Sequence, residues 1–101
     1  MKQPATYIMA SKFNGVIYIG VTSNLLQRVW QHKSGLIDGF TTKYFVHRLV
    51  YFEYHESMPD AIHREKQLKR KSRIHKRMLI ESMNPNWVDL YPFLVGLDES
   101  T

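Results

Sequence analysis

Ala5-Thr6-Tyr7-Ile8-Met9-Ala10, followed after Asn14-Gly15 by Val16-Ile17-Tyr18-Ile19-Gly20, decides the fold. Both runs are rich in β-branched and aromatic residues, and Asn-Gly between two such runs is a strong hairpin signal. The stretch therefore predicts two antiparallel strands. Alternation at period two places Tyr7 with Met9 on one face of the first strand, and Tyr18 with Val16 and Gly20 on one face of the second. The two tyrosines are then expected side by side, and Gly20 permits a close backbone approach.

Working outward, Thr22-Ser23-Asn24 supplies helix-capping side chains, and Leu25, Leu26, Val29 and Trp30 recur at helical spacing to about Lys33. A loop bracketed by Gly35 and Gly39 runs to about Lys43, and Arg48-Leu49-Val50-Tyr51-Phe52-Glu53-Tyr54 reads as a third strand. Ser57-Met58-Pro59-Asp60 starts a helix through about Lys71. Ser72 caps another that carries Ile74, Met78, Leu79 and Met83 along one side until Asn84-Pro85 stops it. The order β-β-α-β-α-α predicts an α+β fold: a small, three-stranded, largely antiparallel sheet with helices covering a face. One domain is expected over residues 1–94, with a short tail over 95–101.

Composition narrows the function. The 101 residues carry fourteen Lys and Arg against nine acids, and the positive charge is concentrated. Residues 64–77 hold eight of the fourteen basic residues and one acid, a local charge of +7, so the rest of the chain carries −2. Such a segment on a near-neutral body is the footprint of a phosphate-binding surface, with Lys66, Lys69, Arg70, Lys71, Arg73, Lys76 and Arg77 as its contacts. The plainer alternative is a solvated helix face. Cysteine is absent, which excludes disulfides, thiolate metal sites and cysteine nucleophiles. A cytoplasmic location is expected. The histidines at 32, 47, 55, 63 and 75 form no zinc-binding pair of known spacing.

Within the helix from Ser57, projection at 100° per residue places Glu65 among Met58, Ala61, Ile62 and Leu68. A carboxylate in an apolar stripe needs compensation from a metal, a base or a solvent-lined cleft. A structural salt bridge to a neighbouring Lys or Arg is the alternative. Arg28 and His32 lie four apart on one side of the first helix and would point at a common object. A guanidinium suits bidentate phosphate binding, and an imidazole can donate to phosphate or move a proton.

These pieces, in this order, resemble the GIY-YIG endonuclease superfamily, in particular its small single-domain bacterial members related to the nuclease domain of the DNA-repair excinuclease. Ala5-Thr6-Tyr7 stands where that family has Gly-Ile-Tyr, keeping the tyrosine, and Tyr18-Ile19-Gly20 is an intact second triplet. Arg28 with His32 resembles the family's arginine-containing helix. Glu65 stands where the family has its single metal-binding carboxylate. Asn84-Pro85-Asn86-Trp87 is similar to the ending of the small members, with Asn84 or Asn86 in the place of a late asparagine. Tyr44 resembles a further tyrosine of some members.

The resemblance implies a metal-dependent endonuclease acting on DNA, with RNA not excluded, on a repair-type or structured substrate. Mg2+ or Mn2+ would be held by Glu65, Tyr18 would be the general base, Tyr7 would position the attacking water, and Arg28 would stabilise phosphorane charge. His32 would take a secondary part. The competing reading is a non-catalytic nucleic-acid-binding module with a basic helical face.

Overall fold

A computed structural model of the protein describes residues 3–37 and 39–99. Its order is β1 (Ala5–Ala10), β2 (Ile17–Thr22), α1 (Leu25–Lys33), α2 (Phe40–Lys43), β3 (Arg48–Tyr54), α3 (Met58–Arg70), α4 (Arg73–Met83) and α5 (Tyr91–Glu99). The sheet order is β2-β1-β3, and both pairings are antiparallel. The fold is thus α+β, as the sequence pattern implies. Among the described residues no helix is long and apolar enough to cross a membrane.

The hairpin forms where Asn14-Gly15 predicts it. Asn14 adopts the left-handed conformation at φ 52°, and Ser11 N–H donates to the Val16 carbonyl at 2.9 Å to close the turn. Asparagine tolerates this region because its short polar side chain bonds locally. Strand β2 begins at Ile17 and runs past Gly20 to Thr22. The register opposes Tyr7 to Gly20 and Met9 to Tyr18, so the tyrosines are diagonal neighbours on one face.

Because β1 is central, all six of its residues are buried, and alternation sends them to two separate cores. Ala5, Tyr7 and Met9 pack with Leu25 and Val29 of α1, Val46, Leu49 and Leu94 of α5. Ile8 and Ala10 pack with Ile19, Val50, Tyr51, Leu68 of α3, Ile80 of α4 and Trp87. Helices therefore cover both faces of the sheet, where the sequence pattern implies one covered face. A central strand apolar on both sides requires two coverings.

Helix starts follow the capping chemistry. The side chains of Asn24, Ser57 and Ser72 accept from the N–H three residues on and fix α1, α3 and α4. Three features depart from the reading by periodicity. A short helix, α2, stands in the expected loop after Gly39, and α5 continues through residue 95, where the tail is expected to begin. In α4 only Ile80 is buried, while Ile74 and Met78 are 64% and 63% exposed. That helix is anchored at its C-terminal half by Ile80 and by the Asn84 cap, so its first two turns reach beyond the sheet.

Candidate active site

The site is organised by Tyr7, whose ring lies over Gly20 of the neighbouring strand. A Cβ at position 20 would sit 2.5 Å from both Cζ and the hydroxyl of Tyr7, and 2.9 Å from Cε1 of Tyr18. Glycine here is a steric requirement of the two rings. Tyr7 and Tyr18 have ring centroids 6.3 Å apart, and the imidazole of His32 stands 5.6 Å and 5.3 Å from them. Val29 and Leu25 bury the inner face of α1, which brings His32 in with them at 1% exposure.

The Tyr7 hydroxyl and His32 Nε2 are 2.8 Å apart, and His32 Nδ1 is 3.2 Å from Thr41 Oγ1. Burial, together with the charge of Arg28 and the proximity of His47, lowers the His32 pKa to about 4, so the ring is neutral at neutral pH. Burial pushes the Tyr7 hydroxyl up to about 12; a hydrogen bond from Arg28 pulls against this, and Tyr18 and Glu65 add to the rise. A guanidinium can only donate. With Arg28 donating towards the Tyr7 oxygen, the consistent arrangement has the Tyr7 hydroxyl donating to Nε2 and Nδ1–H donating to Thr41.

Glu65 acts electrostatically on Tyr7 from α3. Its side chain is 15% exposed and paired with Lys69 Nζ at 3.1 Å, one helical turn on. The apolar stripe expected around it is narrower than periodicity suggests: Ala61 and Leu68 are buried, but Ile62 is 38% exposed. Glu65 stands at the margin of the stripe, on a helix that packs against β2 and β1. Tyr18 lines a groove of about 320 Å3, with Ile17, Ile19, Lys69 and Lys76. Five side chains from β1, β2, α1 and α3 thus converge on one edge of the sheet.

The comparison with known families fits this convergence. The family described as the GIY-YIG catalytic domain matches residues 3–78. The chain belongs to the GIY-YIG family. UPF0213 protein CPE1444 of Clostridium perfringens (strain 13 / Type A) is 36% identical over 76 residues, 75% of this chain and 81% of that protein. No solved structure matches. The GIY-YIG match contains Tyr7, Tyr18, Arg28, His32 and Glu65, and ends before Asn84.

The other sequence-derived candidates are placed as follows. Asn84 is 4% exposed and its amide is engaged structurally: Nδ2 donates to the Val50 and Val88 carbonyls at 3.2 and 2.7 Å, and Oδ1 accepts from Val88 N–H at 3.0 Å. It ties the end of α4 to β3. Tyr44 is 42% exposed, with Lys43 Nζ 5.4 Å from its ring centroid. Lys66, Arg70 and Lys71 are exposed, and Arg73 and Arg77 line a second groove. Arg64, part of the same basic run, turns inward and ion-pairs with Glu53. Thr41 is not among the sequence candidates. It lies in a segment that reads as loop, and only the fold brings it to His32.

A divalent metal at this GIY-YIG site would rest on Glu65. Mg2+ is commonly held by one or two carboxylates, with waters and substrate phosphate oxygens completing the shell. Glu65 supplies one mostly buried hard-oxygen ligand that acts electrostatically on the Tyr7 hydroxyl. Among the described residues no group of three or more His, Asp or Glu is built as a cage. The donor set fits a single-carboxylate site.

Proposed function

We propose that this GIY-YIG domain is a metal-dependent endonuclease that hydrolyses phosphodiester bonds of DNA, on repair-type or structured substrates in the cytoplasm. The observation that carries the reading is the hydrogen-bonded chain from the Tyr7 hydroxyl through His32 to Thr41, packed against Tyr18, with Arg28 and Glu65 acting on the Tyr7 hydroxyl.

Each group has a distinct part. The Tyr7 hydroxyl is engaged by a neutral His32, and a hydroxyl titrating near 12 is a poor base at neutral pH. Tyr7 therefore positions the attacking water by hydrogen bonding. Tyr18 is only half-buried and lines the groove with Lys69 and Lys76, so it is the group assigned to take the water proton. Arg28 places a fixed positive charge where phosphorane charge develops. Mg2+ or Mn2+ bound by Glu65 would supply Lewis-acid charge near the leaving oxygen.

The test compares wild type with Glu65→Ala on branched, nicked and duplex DNA with Mg2+ or Mn2+. A fall in cleavage of about 10³-fold or more is expected, with DNA binding retained. Equal cleavage by both proteins sinks the assigned site. The second reading, a binding module without turnover, draws on the pairing of Glu65 with Lys69, and binding without cleavage on every substrate would favour it.

A further inference from the structure

A second, larger groove is lined by residues that adjoin in sequence those of the groove at Tyr18. Beside the groove at Tyr18 lies one of about 690 Å3 whose walls include Lys12, Asn14 and Val16 of the hairpin and Arg73, Ile74 and Arg77 of α4. The walls of the two are continuous in sequence. Residues 14–16 and then 17–19 form one side, and side chains from 69 to 77 form the other. Together the grooves carry Lys12, Lys69, Arg73, Lys76 and Arg77, and no acid lines either of them among the described residues.

The cations differ in what already holds them. Arg73 is a brace: Nη2 donates to the carbonyls of Asn14 and Gly15 at 3.0 and 2.6 Å, and its guanidinium lies 5.7 Å from the Trp87 ring centroid. It fixes the hairpin tip against α4 and so shapes the groove. Arg77 pairs with Glu81 through Nε at 2.9 Å, leaving its two terminal NH2 groups for an oxyanion. Lys12 is exposed at the opposite lip. Lys69, the partner of Glu65, stands at the Tyr18 end.

We infer that the paired grooves form a track for the sugar-phosphate backbone on one side of the cleaved bond, running from Tyr18 along β2 to the hairpin tip, with Lys12 and Arg77 as its distal phosphate contacts. The inference rests on the endonuclease reading and adds a direction to it. The wall from Tyr18 to the turn at Asn14 is short, so the track takes only a few phosphates of one strand. Charge complementarity selects the occupant: a polyanion that must reach Tyr18 is a nucleic-acid strand. Lys66 and Lys71 lie on the same basic run but line neither groove, so the track separates two sets of cations that charge counting treats alike.

The test measures binding of the full chain to fluorescein-labelled 20-mer duplex and single-stranded DNA in EDTA, as a function of salt. The groove double variant Lys12→Gln/Arg77→Gln is compared with Lys66→Gln/Lys71→Gln, and thermal melting checks that both fold. Arg73 is left intact because it braces the hairpin. The groove variant should lower the log-log salt slope by about 1.8 on duplex and about 1.4 on single-stranded DNA, and weaken binding about tenfold at ~100 mM salt. The control pair should lose less than a third of that. Equal losses in the two doubles overturn the track and leave the nuclease reading standing. Tight binding of polyglutamate with none of either DNA overturns both. Discriminating binding without metal-dependent cleavage supports the track and sinks the nuclease.

Discussion

Two clusters built from the same four residue types stand against the same sheet. Tyr7, Arg28, His32 and Glu65 form one; Tyr51, Arg64, His55 and Glu53 form the other. Their difference lies in what the carboxylate holds. Glu53 accepts from the Tyr51 hydroxyl and from Arg64 through Nε and Nη2, both at 2.9 Å at closest, and has His55 at 3.5 Å. Burial alone would raise its pKa, but the hydrogen bonds from Arg64 and Tyr51 outweigh burial and hold it below the usual carboxylate range. That cluster is closed on itself and fastens α3 to β3.

In the first cluster the tyrosine bonds the histidine and the arginine, and the carboxylate is left with one half-exposed lysine. An acid whose lone pairs are already filled is a clamp, whereas one held by a single displaceable partner is available to a ligand. Residue types alone do not distinguish these cases. The clamp also serves the open cluster, because Arg64 directly precedes Glu65, and fixing the rotation of α3 against β3 fixes the direction of Glu65.

The comparison can be broken most sharply at Glu53. Glu53→Ala leaves Arg64 without its partner and should destabilise the fold by about 3 kcal/mol, read by urea unfolding. Glu65→Ala should change stability by no more than about 1 kcal/mol, because the Lys69 pair is partly solvated. Equal destabilisation by the two would remove the distinction between clamp and open site.

Acid separates the clusters by pH. His32 titrates near 4 when folded and near 6.5 when unfolded. Between those values the unfolded chain holds more protons, so stability falls as pH drops through 6.5 towards 4, by at most about 3 kcal/mol. Glu53 is shifted in the same direction, so it also loses stability with acid, but in a lower window. Its contribution is complete above its unfolded value of 4.5 and is lost only as pH falls below that, through its depressed folded value. Denaturant midpoints recorded from pH 7 to 4 should decline, and His32→Gln should flatten that decline. An unchanged slope in the variant would show that another group carries the loss.

A smaller loss than at Glu53 or His32 is expected at Gly20. Gly20→Ala forces the Tyr7 and Tyr18 rings apart and should cost about 2 kcal/mol of stability, with cleavage reduced well beyond what melting explains. Wild-type cleavage in this variant would contradict the paired-tyrosine geometry. The Glu53 cluster should be unaffected, since it lies on the other face of the sheet.

Some features were legible because they depend on near neighbours in the chain. The hairpin at Asn14-Gly15, the caps at Asn24, Ser57 and Ser72, and the stop at Asn84-Pro85 are fixed by chemistry within about four residues. The basic run was equally visible, although not the inward turn of Arg64. The apolar spacing of α4 suggested a buried side that the fold leaves largely in water, because periodicity reports which residues share a face and not whether anything covers it.

The sequence by itself therefore determined the three strands and the helices α1, α3 and α4, their order, the family and which residue types were candidates. Only the tertiary structure decided how those residues pair. Tyr7 meets His32 across 25 positions, Arg64 meets Glu53 across 11, and Arg73 meets Asn14 across 59. Such pairings are set by strand register and helix docking, which arise from packing the whole core at once. They separate an open carboxylate from a closed one.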